Sequence, residues 1–161
     1  VTGEGYRVGI GYDIHPLAEG RDLILGGVEI EYHKGLDGHS DADVLSHAVG
    51  DALLGAANLE DLGRHFPESE EFRGISSLII LEKISELISN AGFKIVNIDS
   101  IVNAENPRLA SCRPEMTDNI ARSLEIDRSA VSVKFTRGEG MGEVGRGKAM
   151  EARAVVLLKK E

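Results

Sequence analysis

Apolar residues alternate with others from Arg7 to Asp13, setting Val8, Ile10 and Tyr12 on one face, a period of two that predicts a strand. Leu23 to Tyr32 is a second extended stretch, and Gly26-Gly27 inside it marks a bend or bulge. The period then changes. Leu45, Ala48, Val49, Ala52, Leu53 and Ala56 recur at helical spacing. Ser40, with Asp43 three positions on, resembles a capping pair for a helix that begins near Ser40. Asn58 to Gly74 is polar and turn-rich, longer than an ordinary connector. A second helix is predicted over Ser77 to Ala91, with Ile80, Ile84, Leu87, Ile88 and Ala91 as its stripe and Gly92 as its stop. Lys94 to Asn103 reads as a strand and Pro114 to Leu124 as a third helix, with Met116, Ile120, Ala121 and Leu124 facing inward. Ala130 to Thr136 and Ala149 to Lys159 are the last strands, separated by a glycine-rich segment from Arg137 to Gly147. With no repeats or linkers, the expectation is one α/β (α+β) domain over residues 1–161. It would be a sandwich of mixed β-sheet with helices packed on one face.

Charge narrows the functional classes. Lys and Arg number 18 against 27 Asp and Glu, a formal net charge of -9. A nucleic-acid binder needs a basic face to neutralise phosphates, so no nucleic-acid partner is expected. A small anionic substrate stays compatible where a metal or a local cluster supplies positive charge. Cys112 is the single cysteine, which leaves no intrachain disulfide and no Cys-rich metal knuckle and suits a reducing compartment. No apolar run approaches membrane-span length, and the first residues lack a signal-peptide pattern. The expected location is cytoplasmic, or the plastid stroma if a transit peptide has been removed, with no membrane partner.

Asp13-Ile14-His15 ends the first strand, and residues two apart in extended chain point to the same side. His47 stands mid-helix beside the apolar stripe, with Asp43 and Asp51 one turn either side as candidates to orient its imidazole. Two neutral imidazoles and a carboxylate form a standard zinc set that leaves a fourth position open for catalysis. The same residues also fit plainer roles, Asp13 capping a turn and His47 satisfied within the core. Gly38-His39-Ser40-Asp41 is read as opening the first helix, where backbone N–H groups, a hydroxyl and an imidazole suit an anion; simple capping by Ser40 is the alternative. Glu139, in Arg137-Gly138-Glu139-Gly140, fits either a hard divalent cation bridging phosphates or an ordinary mobile loop. His33 and His65 read as surface or loop residues.

In order, the chain runs Gly11-Tyr12-Asp13-Ile14-His15, Gly26-Gly27-Val28, His39-Ser40-Asp41-Ala42-Asp43 up to His47, Asp51-Ala52-Leu53-Leu54-Gly55-Ala56, Asp61-Leu62-Gly63 and Phe66-Pro67. This series resembles the 2-C-methyl-D-erythritol 2,4-cyclodiphosphate synthase family of the non-mevalonate (methylerythritol phosphate) route to isoprenoids and terpenoids. The N-terminal half carries the specific motifs, and the C-terminal half matches in outline. The resemblance implies a cyclising phosphorus–oxygen lyase that converts 4-diphosphocytidyl-2-C-methyl-D-erythritol 2-phosphate to the cyclodiphosphate and releases CMP. It implies a zinc ion on Asp13, His15 and His47, with Asp13 and His15 also facing the substrate. His39 and Ser40 would contact the phosphates, His39 helping to stabilise the transition state. Asp61, Leu62, Gly63, Phe66, Pro67, Glu68, Ser69 and Glu70 would line the methylerythritol pocket. Ala104, Pro107, Arg108, Leu109 and Ala110, within the segment 104–110, would receive cytidine. Thr136, Arg137, Gly138 and Glu139 would hold the diphosphate, with Glu139 on Mg²⁺ or Mn²⁺ and Arg146 also at the substrate. The implied assembly is a homotrimer with active sites between subunits.

The chain departs from that family's pattern at several positions. Arg137 stands where a threonine that helps stabilise the transition state is usual, so Arg137 takes the candidate catalytic place beside His39. Gly140 and Glu143 replace a basic residue and an aromatic, Arg108 replaces a lysine with a different donor geometry, and Glu68 and Glu70 stand in for aspartates. Two other classes compete: a zinc-dependent phosphoester hydrolase using a metal-bound water, and a non-catalytic trimeric protein with a structural metal.

Overall fold

A computed structural model describes residues 5–161, so the first four residues of the expected 1–161 domain lie outside it. Strand β1 (Tyr6–Glu19) is longer than its alternating core suggests, because it continues through the Asp-Ile-His segment. β2 (Leu23–Leu25) and β3 (Val28–Ile30) pair antiparallel across Gly26-Gly27. Both glycines take positive φ, 55° and 68°, as a two-residue hairpin turn requires. The single extended stretch is therefore a hairpin. β4 (Lys34–Leu36), which no periodicity announces, pairs with the far end of β1.

Helix α1 covers Val44–Ala57. Its cap is Asp43 and not Ser40: the Asp43 carboxylate accepts from Ser46 N at 3.0 Å, Ser46 Oγ at 2.8 Å and Gly27 N at 2.9 Å. The segment Gly38 to Asp41 thus precedes the helix as irregular loop and is not its first turn. Short α2 (Leu62–His65) and a 3₁₀ turn (Glu70–Phe72) give shape to the long polar connection. α3 (Ser77–Asn90), β5 (Phe93–Asn103), α4 (Arg113–Ser123), β6 (Val131–Thr136) and, after short α5 (Gly142–Gly145), β7 (Ala149–Lys160) complete the chain; all but α5, a turn of helix inside the segment read only as glycine-rich, follow the expected boundaries closely.

The large sheet has the order β4-β1-β7-β5-β6, antiparallel throughout except for the parallel pair β5–β6. α1 lies on β1 and β7, and α3 and α4 extend the helical layer over β5 and β6. The core between the layers holds Leu45, Leu53, Ile84, Ile98, Met116 and Leu158, all essentially inaccessible. This is the mixed sheet with helices on one face that the pattern predicts.

The inward face of β1 is the unexpected part. Gly9 and Gly11, not the apolar residues, point at α1 and are buried. A Cβ on Gly11 would lie 2.7 Å from Ala52 N and 2.8 Å from Ala48 C. The α1 backbone therefore rests directly on the strand, which only glycine below and alanine above allow. The opposite parity carries Val8 and Ile10 outward at 69% and 73% exposure, with Tyr6, Tyr12, Ile14 and Val155 beside them. That leaves a large apolar sheet face uncovered.

Candidate active site

Asp13 and His15 have the parity of Gly9 and Gly11, so both side chains emerge on the helix side of the sheet where β1 runs past α1. His47 descends from α1 to meet them. One Asp13 oxygen, Oδ2, lies 2.9 Å from His47 Nδ1 and 3.2 Å from His15 Nε2. Among the described residues these three form the group whose ligand atoms converge, all within 4.8 Å of one another.

The partners behind the rings decide the chemistry. His15 Nδ1 faces the Asp37 carbonyl oxygen at 2.9 Å. A carbonyl only accepts, so Nδ1 carries the proton and the neutral ring turns its Nε2 lone pair toward Asp13. His47 Nε2 faces Ser77 Oγ at 2.9 Å and Ser40 Oγ at 3.1 Å. The Ser77 hydroxyl gives its own proton to Asp41 through a short bond, so it can only accept from His47. That fixes Nε2 as the donor and leaves the Nδ1 lone pair aimed at Asp13. Two lone pairs and a carboxylate oxygen thus face one point. Such a donor set is satisfied by protons or by a cation, and it fits a divalent metal.

The electrostatics follow. Burial raises the Asp13 carboxyl, but hydrogen bonds and charge from His15 and His47 outweigh it and hold Asp13 well below the usual carboxylate range. Where a proton rather than a cation sits between Nε2 and Asp13, that hydrogen bond lifts His15 above an ordinary histidine. A cation binding there displaces protons held between these groups.

Two residues expected to orient His47 do something else. Asp43 is fully buried as the α1 cap. Asp51 accepts from Leu62 N at 2.8 Å and so ties α2 to α1. A carboxylate one turn away on a helix faces the same side, but the imidazole points off the helix toward β1 and the start of α3. Ser77 and Asp41 were therefore missed as partners. Their separation of 36 residues leaves no local signal, although Ser77 and Asp41 both lie at visible element boundaries.

The three candidate ligands open into a cleft of about 270 Å³. His39, Ser40, Leu62, Gly63, Phe66 and Glu68, all candidates from the sequence, line this one cleft, and Phe72, Ile75 and Ile80 add an apolar wall that sequence reasoning had not assigned. Asp61 instead caps α2 through Arg64 N, Glu70 pairs with Arg73 at 2.6 Å, and Pro67 and Ser69 form the intervening turn. A second cavity of about 540 Å³ gathers Ala104, Pro107, Arg108, Leu109, Ala110, Thr136 and Arg137, with Glu105, Arg113 and Phe135. It sits at the C-terminal ends of the parallel pair β5–β6, where Ala104 N donates to Thr136 O. Arg137 does not swing free: it pairs with Glu105 at 2.6 Å, and Glu105 also accepts from Glu139 N at 3.1 Å. Gly138 packs against Gly145, and Arg146 pairs with Glu143. Among the described residues none lines both cavities.

The sequence pattern of the YgbB family matches residues 6–159. This chain belongs to the YgbB family. YgbB-family relatives named 2-C-methyl-D-erythritol 2,4-cyclodiphosphate synthase include one from Chlorobium phaeobacteroides, 56% identical over 153 residues, covering 94% of this chain and 97% of that protein. One from Chloroherpeton thalassium is 53% identical over 155 residues, covering 96% and 99%. Among solved structures, the bifunctional IspDF from Campylobacter jejuni superposes with a TM-score of 0.94 at 37% identity. That match covers 99% of this chain and 43% of the bifunctional protein, so this chain spans less than half its length. A Plasmodium falciparum IspF in complex with CDP gives a TM-score of 0.86 at 36% identity, covering 99% of both chains.

Proposed function

We propose that this protein closes the cyclic diphosphate of 2-C-methyl-D-erythritol from its cytidine-diphosphate 2-phosphate precursor, releasing CMP. The observation that carries the reading is the convergence of three acceptor atoms, from Asp13, His15 and His47, at one cleft of a chain that matches cyclodiphosphate synthases over 94% and 96% of its length. In the reaction a 2-phosphate oxygen bonds to the phosphorus joining the CDP group to the sugar alcohol. The anhydride bond breaks, and CMP leaves with the bridging oxygen. No protein nucleophile is needed, since phosphoryl transfer asks mainly for positioning and charge neutralisation.

Zinc on Asp13, His15 and His47 would supply Lewis acidity toward a phosphoryl oxygen. Three converging ligands among the described residues favour an open position over a closed structural site. Leu62, Phe66, Phe72, Ile75 and Ile80 would exclude water from one side of the methylerythritol, while His39 and Ser40 hold its phosphates. The second cavity would take cytidine against Pro107, Leu109 and Phe135, with Thr136 and Arg137 at the diphosphate and Arg108 adding charge; Gly138 and Arg146, outside that lining, would reach the diphosphate from the following segment. Glu139 is exposed and would serve Mg²⁺ or Mn²⁺, ions that commonly use one or two carboxylates plus substrate phosphates.

The separate cavities and the uncovered apolar face of β1 and β7 support a homotrimer that assembles each site from two subunits. Residues 1–161 would act as one such unit. Incubation with the CDP-methylerythritol 2-phosphate, followed by phosphorus NMR, tests the reading. CMP and a cyclic diphosphate are expected; ring-opened phosphates with incorporated water would identify a hydrolase instead.

A further inference from the structure

Arg21 leaves the turn after β1 and reaches into the loop between β4 and α1. Its Nε donates to Leu36 O at 3.2 Å, and one terminal nitrogen donates to Gly38 O at 3.0 Å and to Ser40 O at 3.4 Å. The other terminal nitrogen stands 3.7 Å from the Asp37 carboxylate. One guanidinium thereby holds four of the five residues from Leu36 to Ser40. These residues run from the end of β4 into irregular chain, where carbonyls lack a regular ladder and need outside donors. The base of the side chain is fixed as well: a Cβ on Gly35 of β4 would collide with the carbonyl oxygens of Arg21 and Asp22.

The held loop supplies the groups behind both candidate histidine ligands. Asp37 O accepts from His15 Nδ1, and Ser40 Oγ meets His47 Nε2. Gly38 presses on the His15 ring, with a Cβ there falling 2.7 Å from Cε1. His39 lies between Gly38 and Ser40, two of the three residues whose carbonyls Arg21 ties down.

We propose that Arg21 is a positioning residue of the active site, fixing the 36–40 loop so that Asp37 and Ser40 hold His15 and His47 in their ligating orientation. Arg21 itself touches neither ring. The inference rests on the proposed metal site but concerns how that site is held. The role suits arginine and not lysine: a planar fork presents five N–H groups to several carbonyls, whereas a lysine ammonium cannot span them. A purely structural arginine, covering the turn after β1, would change stability and leave metal retention alone.

The test is the rate at which a chromogenic chelator removes zinc from the loaded full chain, measured for wild type, Arg21→Lys and Arg21→Ala beside their denaturant midpoints. Loss of groups behind metal-bound histidines typically weakens a site roughly 10- to 100-fold. Zinc release is expected to accelerate by about that factor in both variants, with no rescue by lysine, even where the Arg21→Lys midpoint matches wild type. Unchanged release from a folded Arg21→Lys protein would overturn the proposal. Cyclase activity of the wild type reports on the proposed function alone, and the variant-to-wild-type ratio of release rates reports on Arg21 alone.

Discussion

Gly11→Ala tests whether the site is built on direct contact between the α1 backbone and β1. The new Cβ would sit 2.7 Å from Ala52 N and 2.8 Å from Ala48 C, and closer still to the Ala48 carbonyl oxygen, where ordinary contact begins at 3.4 Å. The neighbours are helix backbone and cannot rotate away, and the Ala48 carbonyl oxygen sets the displacement, so α1 must shift by more than ~1 Å locally. Overpacking of this kind costs about 1–3 kcal/mol. His47 immediately precedes Ala48 on the same turn, while Asp13 stays with the strand, so the displacement falls directly on the 2.9 Å gap between them. A misplacement of about 1 Å at a reacting centre can cost on the order of 100-fold in rate. Gly55→Ala is the control, because Gly55 lies in the same helix, is exposed, and has nothing within 4 Å of the place its new methyl would occupy. That change should stabilise by about 0.5–1 kcal/mol through helix propensity. Urea unfolding midpoints of the two variants should therefore move in opposite directions, and zinc stoichiometry and turnover should fall only in Gly11→Ala. A Gly11→Ala protein with wild-type stability and full zinc would refute the contact argument.

Ser77→Ala should weaken zinc binding by roughly 10- to 100-fold, whereas Asp51→Ala should loosen α2 and leave zinc affinity within about twofold; competition with a chelator of known affinity distinguishes them, and the reverse order would restore Asp51 as the partner of His47. Arg137→Thr should weaken CMP inhibition by about tenfold if the guanidinium adds a charge-assisted bond of roughly 1.5 kcal/mol, and unchanged inhibition and turnover would remove Arg137 from the site. Co-expressed His47→Ala and Arg108→Glu chains should recover part of the activity that neither pure variant has, because some interfaces pair an intact metal half with an intact nucleotide half. If subunits demonstrably exchange and no activity returns, each site is built within one chain.

Much of this protein is local and therefore legible in its sequence. Helical stripes such as Ile80, Ile84 and Ile88 need only a 3.6-residue period, and Gly92 stops α3 through its own positive φ of 78°. Asp13 and His15 share a face because strand periodicity alone places them together. Helix capping was less secure, since Ser40 and Asp43 both satisfy the residue preference and only the chain's path shows which carboxylate or hydroxyl meets the free N–H groups. What the tertiary structure alone decided is which face of β1 is the inside. Alternation cannot distinguish a buried apolar face from an exposed one, and here glycine wins the inner face because the helix backbone must approach that closely. The groups behind His47 were decided the same way: Asp41 and Ser77 meet only because α3 returns to the mouth of α1, a contact set by packing across 36 residues and by no pattern along them.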